Sequence, residues 1–258
     1  EKNSKSISAE AYKTLRTNIQ YSSFDKEIKT ILVTSTIPGE GKSTIAGNLA
    51  LSFAQQDKKV LVIDCDLRKP ALHKMFKLSN FKGLSDVIVG NSDLEKAMYN
   101  YRDNFDILTS GKIPPNPSEI LASNAMTMLL EKLKTMYDII IIDSAPLQAV
   151  TDAQIISNKV DGTLLVIRAG LTKREAILQA KELLNQVNAK ILGVVLNGAE
   201  IGDPTEVALV NLGHKLSLDE LEIRKSYGRL GEIPFDSDRK LMSTLHRFDN
   251  KNLMFTKG

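Results

Sequence analysis

The segment 36–43, TIPGEGKS, contains the residues whose types and spacing most clearly indicate chemistry. Glycines allow a backbone to wrap around a phosphate, and the amides at the start of a helix point at that anion. A lysine can then reach the β- and γ-phosphates, and a hydroxyl can hold Mg²⁺. Lys42 and Ser43 fit these two roles, although Thr36 stands where the usual pattern has a glycine. This segment, the phosphate loop, predicts a Mg-nucleotide site; the alternative is a glycine-rich turn without a ligand.

Aspartates follow two apolar runs further along the chain. Asp64 and Asp66 come after the run 60–63, and Asp143 comes after the run 139–142. Ligands of open parallel sheets bind outside the carboxyl ends of the strands, where carboxylates can hold Mg²⁺ or accept a hydroxyl proton. The spacing does not distinguish the role of Asp64 from that of Asp66, and a loop cap or an ion pair is the alternative for each aspartate. The pattern predicts phosphoryl chemistry and leaves the acceptor open.

Predicted strands and helices, which must position these residues, alternate along the first 200 residues. Runs that are apolar almost without interruption predict strands covered on both faces, and helical periodicity lies between several of them. We therefore expect an α/β fold with a doubly wound, mainly parallel sheet and helices on both faces, as in P-loop NTPases. The predicted strands are 30–35, 59–66, 105–110, 138–143, 162–169 and 189–197, and the predicted helices are 43–55, 118–136 and 173–187.

The alternation stops near residue 200. Beyond it, the sequence predicts a small α+β fragment, and we place a domain boundary there, with domains 1–200 and 201–258. The fragment is predicted to contain helices at 204–216 and 218–226, strands at 241–248 and 252–256, and a hairpin turn at 249–251.

Composition excludes several classes of protein. The chain has 258 residues, 42% of them hydrophobic and 25% charged, which is typical of a globular domain. A net charge of +3 is too small an excess to predict a nucleic-acid partner. One cysteine and three histidines argue against a disulfide and a Cys/His zinc cluster. No apolar run reaches the roughly 18 residues of a membrane span, and the first residues lack a signal-peptide core, so we expect a soluble, cytosolic chain.

Several segments together resemble the bacterial tyrosine kinases (BY-kinases) of capsule and exopolysaccharide assembly. The segment IDCDLRKP at 63–70 looks like their second Walker-type motif, and IPPNPSEIL at 113–121 and TDA at 151–153 are similar to further family sequences. The segment 10–16 resembles their oligomerisation helix, with Lys13 at the first arginine position. The resemblance covers about residues 4–198. It implies a cytoplasmic ATP-dependent tyrosine kinase that forms rings and is activated by a membrane-anchored protein at the inner face of the cell membrane.

The resemblance also implies roles for individual residues. Lys42 would contact the phosphates, and Ser43, Asp66 and Asp143 would hold Mg²⁺, whereas Asp64 would be the base for the tyrosine hydroxyl. The oligomerisation residues would be Glu10, Lys13 and Arg16, for which a solvated helix face is the alternative. Lys69, Arg68 and Lys74 form a basic patch that could neutralise phosphates or be solvated. The expected ATP-binding residues are Pro38, Gly39, Glu40, Gly41, Lys42, Ser43, Thr44 and Asn197.

The C-terminal segment does not resemble that family. BY-kinases typically end in a tyrosine cluster, but none of the six tyrosines here forms one at the C-terminus. Segments 202–209, 231–243 and 255–258 instead look like the nucleotide-binding domain of P-type cation-transport ATPases. We interpret the chain as an artificial fusion in which autophosphorylation is lost and aspartyl-phosphate chemistry is impossible. The resemblance implies that Phe235 stacks on adenine and that Glu206, Lys240 and Lys257 line the same pocket. The alternative is ordinary hydrophobic packing for Phe235 and a solvated surface for the lysines.

Two other functions compete with a kinase. The first is a switch ATPase of the kind that positions chromosomes and septa, but that group has a lysine where Ile37 stands and often a C-terminal amphipathic membrane helix. The second is a non-catalytic fusion in which either half only holds nucleotide.

Overall fold

The computed structural model describes residues 7–22, 27–198, 209–210, 229–236, 241–248 and 251–257. The chain divides into two compact units, Glu1–Leu212 and Gly213–Gly258. The strands of the first unit are β1 (Thr30–Ser35), β2 (Val60–Asp64), β3 (Met98–Arg102), β4 (Phe105–Leu108), β5 (Ile139–Asp143), β6 (Gly162–Arg168), β7 (Ile191–Asn197) and β8 (Leu209–Val210). Its helices are α1 (Ile7–Tyr21), α2 (Lys42–Ala54), α3 (Leu72–Met75), α4 (Leu84–Ile88), α5 (Leu94–Ala97), α6 (Pro117–Ala122), α7 (Asn124–Met136), α8 (Asp152–Ser157) and α9 (Arg174–Gln186).

The strands of the first unit form one sheet in the order β3-β4-β2-β5-β1-β6-β7-β8. All neighbours from β4 to β7 are parallel, and only the edge strands β3 and β8 are antiparallel. Because β5 lies between β1 and β2, the loops that follow these three strands meet at one edge of the sheet. The doubly wound α/β fold is therefore confirmed.

The apolar runs are explained by burial on both faces of the sheet. Val60 and Val62 of β2 belong to a core with α1 and α2, whereas Leu61 and Ile63 belong to a second core with α7. Every residue of β2 and β5 is buried. Full burial of such a side chain stabilises the fold by about 1.5–3 kcal/mol, so these runs determine where the strands lie.

The structure corrects the predicted helix 118–136, which is two helices separated at Ser123. The Ser123 hydroxyl accepts the N–H of Met126 and caps α7, and capping competes with helix continuation at such residues. Strand β3 is not predicted by the sequence, because its residues are half-buried or exposed and lack the apolar pattern of the inner strands.

The C-terminal unit contains a three-stranded antiparallel sheet in the order β11-β10-β9. Its strands are β9 (Arg229–Asp236), β10 (Leu241–Phe248) and β11 (Lys251–Lys257). The two predicted strands are confirmed, but Lys251 lies in β11 opposite Phe248, not in the turn, and β9 was not predicted.

The predicted helix 204–216 is wrong at Leu209–Val210, which forms a strand against β7. The predicted helix 218–226 lies outside the described residues. The boundary near residue 200 stays a prediction.

Candidate ATP and magnesium site

The phosphate loop connects β1 to α2 at the carboxyl edge of the sheet. Gly39 and Gly41 have φ angles of 87° and 91°, a region that favours glycine. A Cβ on Gly41 would lie 2.2 Å from Asn197 Nδ2, and this amide donates a hydrogen bond of 2.9 Å to the Glu40 carbonyl. Asn197, at the end of β7, therefore holds the turn that precedes α2. Pro38, Gly39 and Thr44 are exposed along the same segment.

Glu40 stabilises the loop from inside. Its buried carboxylate accepts the N–H of Thr36 at 2.7 Å and the N–H of Ile37 at 3.1 Å. It also accepts the Thr36 hydroxyl at 2.7 Å and the hydroxyl of Thr172. The Glu40 carboxylate, predicted from the sequence to bind ATP, is occupied by these donors, so the residue would meet a phosphate through its backbone. Thr172 and Arg168, whose Nη1 donates to the Gly39 carbonyl at 3.1 Å, belong to this support and were missed.

Lys42 lies where the loop meets the aspartates. Its ammonium is 2.9 Å from Asp66 Oδ2, 3.7 Å from Asp143 Oδ1 and 3.3 Å from Ser43 Oγ. Burial lowers the pKa of Lys42, but the carboxylates of Asp143 and Asp66 outweigh burial, and the net pKa is raised. Lys42 is therefore charged at neutral pH. The structure thus brings together four predicted site residues from the start of α2, the turn after β2 and the end of β5.

Asp143 is a buried carboxylate with unused hydrogen-bonding capacity. Neither of its oxygens has a hydrogen-bond partner at normal distance and angle among the described residues, although Lys42 and Ser43 lie close enough to lower its pKa. Burial raises its pKa, and the Lys42 charge opposes that shift only in part. A buried carboxylate that lacks hydrogen-bond donors is stabilised when it binds a cation.

The acidic side chains fit a magnesium ion that arrives with phosphate oxygens. Nowhere in the described part of the chain do three or more His, Cys, Asp or Glu side chains form a metal-binding group. Mg²⁺ commonly takes one or two carboxylates and completes its coordination with water and substrate phosphates. Asp66, Asp143 and the Ser43 hydroxyl therefore fit the ion as partial ligands.

Asp64 is placed differently from Asp66, although only Cys65 separates them. One oxygen of its fully buried carboxylate accepts the N–H groups of Ala71 and Leu72, both at 3.0 Å, and the other accepts that of Asp66 at 3.2 Å. Burial, followed by repulsion from Asp143, raises the pKa of Asp64. Asp64 therefore organises the chain after β2 and carries a perturbed carboxyl group beside the site.

Arg68 is not a free member of a basic patch. Its Nε and Nη2 bind Asp152 Oδ2 and Oδ1 at 2.8 and 3.1 Å. Nη2 also donates to Ser118 Oγ at 3.0 Å, and Ser118 Oγ donates to Asp152 Oδ1 at 2.6 Å. The structure thus joins the three family motifs that contain these residues. Lys69 and Lys74, the other members of the predicted patch, are exposed.

The predicted oligomerisation residues of α1 do not share one surface. Lys13 and Glu10 form an ion pair of 2.7 Å on the exposed face. Arg16 is buried, and its Nη1 donates to the carbonyl and the hydroxyl of Ser52 in α2. Arg16 therefore attaches α1 to α2, whereas the other two residues remain accessible.

Of the four C-terminal residues predicted to line a nucleotide pocket, two lie in described strands and two do not. Phe235 lies in β9 and Lys257 lies in β11, opposite Met242 of β10. Glu206 and Lys240 lie outside the described residues.

Comparison with known proteins first gives the class. The family model for an AAA domain matches residues 28–192, which is more than half of the chain. Together with the loop between β1 and α2, this match defines a P-loop nucleotide-binding domain.

The family follows from closer relatives. Tyrosine-protein kinase YwqD of Bacillus subtilis (strain 168) is 47% identical over 203 residues, which cover 78% of this chain and 86% of that protein. A solved structure of the chimerical protein CapA2B2 is 39% identical, with a TM-score of 0.73 over 76% of this chain and 86% of that one. The kinase domain of Escherichia coli tyrosine kinase ETK is 37% identical, with a TM-score of 0.71 over 74% and 75%. The chain belongs to the family of bacterial tyrosine-protein kinases.

The C-terminal resemblance is also confirmed. The family model for the P-type ATPase cytoplasmic domain N matches residues 174–258. This match begins at α9 and overlaps the AAA match, so it extends upstream of the predicted boundary near residue 200.

Proposed function

We propose that this protein is an ATP-dependent protein tyrosine kinase that transfers the γ-phosphoryl group of Mg-ATP to a tyrosine hydroxyl. The single observation that carries the proposal is the convergence of Lys42, Asp66 and Asp143 beside the phosphate loop. Such catalysis depends mainly on positioning and on electrostatic stabilisation of phosphate charge. Membership of the bacterial tyrosine-protein kinases indicates the acceptor.

In this proposal each part of the site has one task. The amides of the phosphate loop and the start of α2 bind phosphate oxygens, and the Lys42 ammonium neutralises their charge. Ser43, Asp66 and Asp143 hold Mg²⁺, which, when bound, withdraws charge from the phosphate oxygens. Asp64 accepts the proton of the tyrosine hydroxyl; its raised pKa supports this role because a base works best when its pKa lies near the working pH.

We further propose that the chain acts in capsule and exopolysaccharide assembly, in a ring activated by a membrane-anchored protein at the inner face of the cell membrane. The accessible Glu10–Lys13 pair supports a role of α1 in contacts between subunits. Among the described residues no helix has the length and apolar character needed to cross a bilayer. The membrane contact that we propose is made by the partner.

The tyrosine content of the C-terminal segment limits which tyrosine of this chain can accept the phosphoryl group. Tyr227 is the only tyrosine after residue 137 in the 258-residue sequence. We propose that the segment from residue 201 to 258 stands in place of a tyrosine-rich acceptor, so that autophosphorylation is lost and the acceptor is another protein. A nucleotide pocket at Glu206, Phe235, Lys240 and Lys257 is a separate proposal for that segment.

The decisive test compares Lys42→Met with Lys96→Met. Lys96 pairs with Asp93 on the surface and is the matched control for loss of a paired lysine. With labelled ATP, Mg²⁺ and a tyrosine-containing acceptor peptide, we expect phosphotyrosine from the parent chain and from Lys96→Met. Transfer by Lys42→Met should be at least about 100-fold slower, because the phosphate charge is no longer neutralised.

Two results would contradict the proposal. One is an equal transfer rate in Lys42→Met. The other is Mg-ATP binding by the parent chain without any phosphotyrosine. If nucleotide affinity is also unchanged in Lys42→Met, the nucleotide binds in the C-terminal unit.

A further inference from the structure

Arg68, Ser118 and Asp152, called the Arg68 clamp, join three loops at the carboxyl edge of the sheet. Arg68 lies in the turn after β2, Ser118 lies in the first turn of α6, and Asp152 begins α8. The guanidinium binds Asp152 through two parallel hydrogen bonds of 2.8 and 3.1 Å. Asp152 is fully buried, with a side-chain exposure of 0%. A fork of this kind fixes the geometry of both partners.

The clamp acts on Asp66 through the backbone. Asp66 Oδ1 accepts the N–H of Arg68 at 3.3 Å and that of Lys69 at 2.9 Å, while Oδ2 is bound by Lys42. β2 ends at Asp64, so the hydrogen-bond ladder of the sheet does not reach Asp66. The position of this carboxylate therefore depends on the turn that the Arg68 side chain anchors.

We propose that the Arg68 clamp is a positioning device for Asp66 and thereby sets the affinity of the site for Mg²⁺ in the presence of nucleotide. The inference rests on the magnesium role of Asp66 in the proposed function. It assigns no contact with nucleotide to the three clamp residues. Partners that orient a metal ligand typically change metal affinity by about 10–100-fold when they are mutated.

The test measures ADP binding by calorimetry at increasing Mg²⁺ concentration. Asp152→Asn removes the buried charge, Arg68→Lys keeps the charge but loses the fork, and Ser118→Ala removes one hydroxyl. We expect the half-saturating Mg²⁺ concentration to rise about tenfold in Asp152→Asn and Arg68→Lys, and less in Ser118→Ala. Affinity for ADP without Mg²⁺ should stay within about twofold, because the phosphate loop is untouched.

A matched control is Asp161→Asn, directly before β6, at the end of the sheet where the parallel strands begin. The Asp161 carboxylate accepts the N–H groups of Lys29 and Thr30 at 3.1 and 3.0 Å. This substitution should lower the thermal midpoint and leave the Mg²⁺ dependence unchanged. If Asp152→Asn does not fold, Arg68→Lys and Ser118→Ala still test the proposal.

A double-mutant cycle with Asp66→Asn separates positioning from general destabilisation. In the Asp66→Asn background, Asp152→Asn should cause no further change in Mg²⁺ dependence, since its effect passes through Asp66. Additive effects, or an unchanged Mg²⁺ dependence in folded clamp variants, would overturn the proposal. Absence of tyrosine phosphorylation with normal Mg²⁺-dependent ADP binding would count against the kinase function and not against the clamp.

Discussion

Asp161 and Asp138, at the end of the sheet where the strands begin, have surroundings opposite to those of Asp143, at the end where the strands finish. At the amino edge, Asp161 accepts the N–H groups of Lys29 and Thr30, and Asp138 accepts that of Lys59 at 2.8 Å. At the carboxyl edge, Asp143 makes no comparable bond within the described part of the chain, and burial raises its pKa. The amino ends of strands present N–H groups that satisfy a carboxylate, whereas the carboxyl ends present carbonyl oxygens. Asp64 and Asp66 obtain N–H donors from the turn after β2, but Asp143 does not and needs a cation, from Lys42 or from a bound metal.

Asp143→Ala should give the largest functional effect that this difference predicts. We expect Mg²⁺-dependent phosphoryl transfer to fall by at least about 100-fold, since the site loses a metal ligand. The unfolding midpoint should change little, because removing the burial penalty of the carboxylate offsets the lost attraction to Lys42. Kinetic assays and denaturant titration measure the two quantities.

Asp161→Asn should show the reverse pattern. The amide oxygen of Asn is a weaker acceptor than the carboxylate for the N–H groups of Lys29 and Thr30, which should cost about 1 kcal/mol of unfolding free energy, and transfer rates should persist. If both variants lose stability alike, the distinction between the edges fails.

Glu40 sharpens the comparison, because it is a carboxylate near the carboxyl edge that has its own N–H donors. In Glu40→Gln, one acceptor oxygen becomes an amide that faces donors. We expect ATP affinity to fall by about tenfold, equivalent to about 1.4 kcal/mol, as the loop loses its internal support. Glu131→Gln, which alters an exposed ion pair, should leave affinity unchanged; equal loss in both would refute the role of Glu40.

The pH dependence of stability tests the same comparison without a change of ligand. Because the folded-state pKa values of Asp64 and Asp143 are raised, their contribution to stability is fully present below the ordinary carboxyl pKa of about 4. It is lost as the pH rises toward the raised values. A tenfold difference in proton affinity between the folded and the unfolded chain corresponds to about 1.4 kcal/mol of folding free energy.

Denaturant titrations between pH 4 and neutrality, made in the parent chain and in Asp143→Asn, measure this loss. The decrease of unfolding free energy with rising pH should be shallower in the variant. A steeper decrease in the variant would show that another group dominates the pH dependence of stability.

Much of the first unit could be predicted from the sequence. The predicted strand 30–35 coincides with β1, and the inner strands were placed within a few residues, because burial on both faces leaves a nearly unbroken apolar run. The break at Ser123 and the edge strand β3 were missed, since each depends on local hydrogen bonds or pairing that hydrophobic periodicity does not record. The helix predicted over Leu209–Val210 failed because pairing with β7 overrode local helical preference.

The sequence by itself determined the phosphate loop, the aspartates after the strands and the family, because these depend on residue types at short spacing. Only the tertiary structure separated Asp64 from Asp66, turned the Glu40 carboxylate into the loop, buried Arg16 against α2 and joined Arg68 to Asp152. These assignments depend on contacts between residues up to 132 positions apart. Such contacts form only when the parallel crossovers bring the loops to one edge of the sheet.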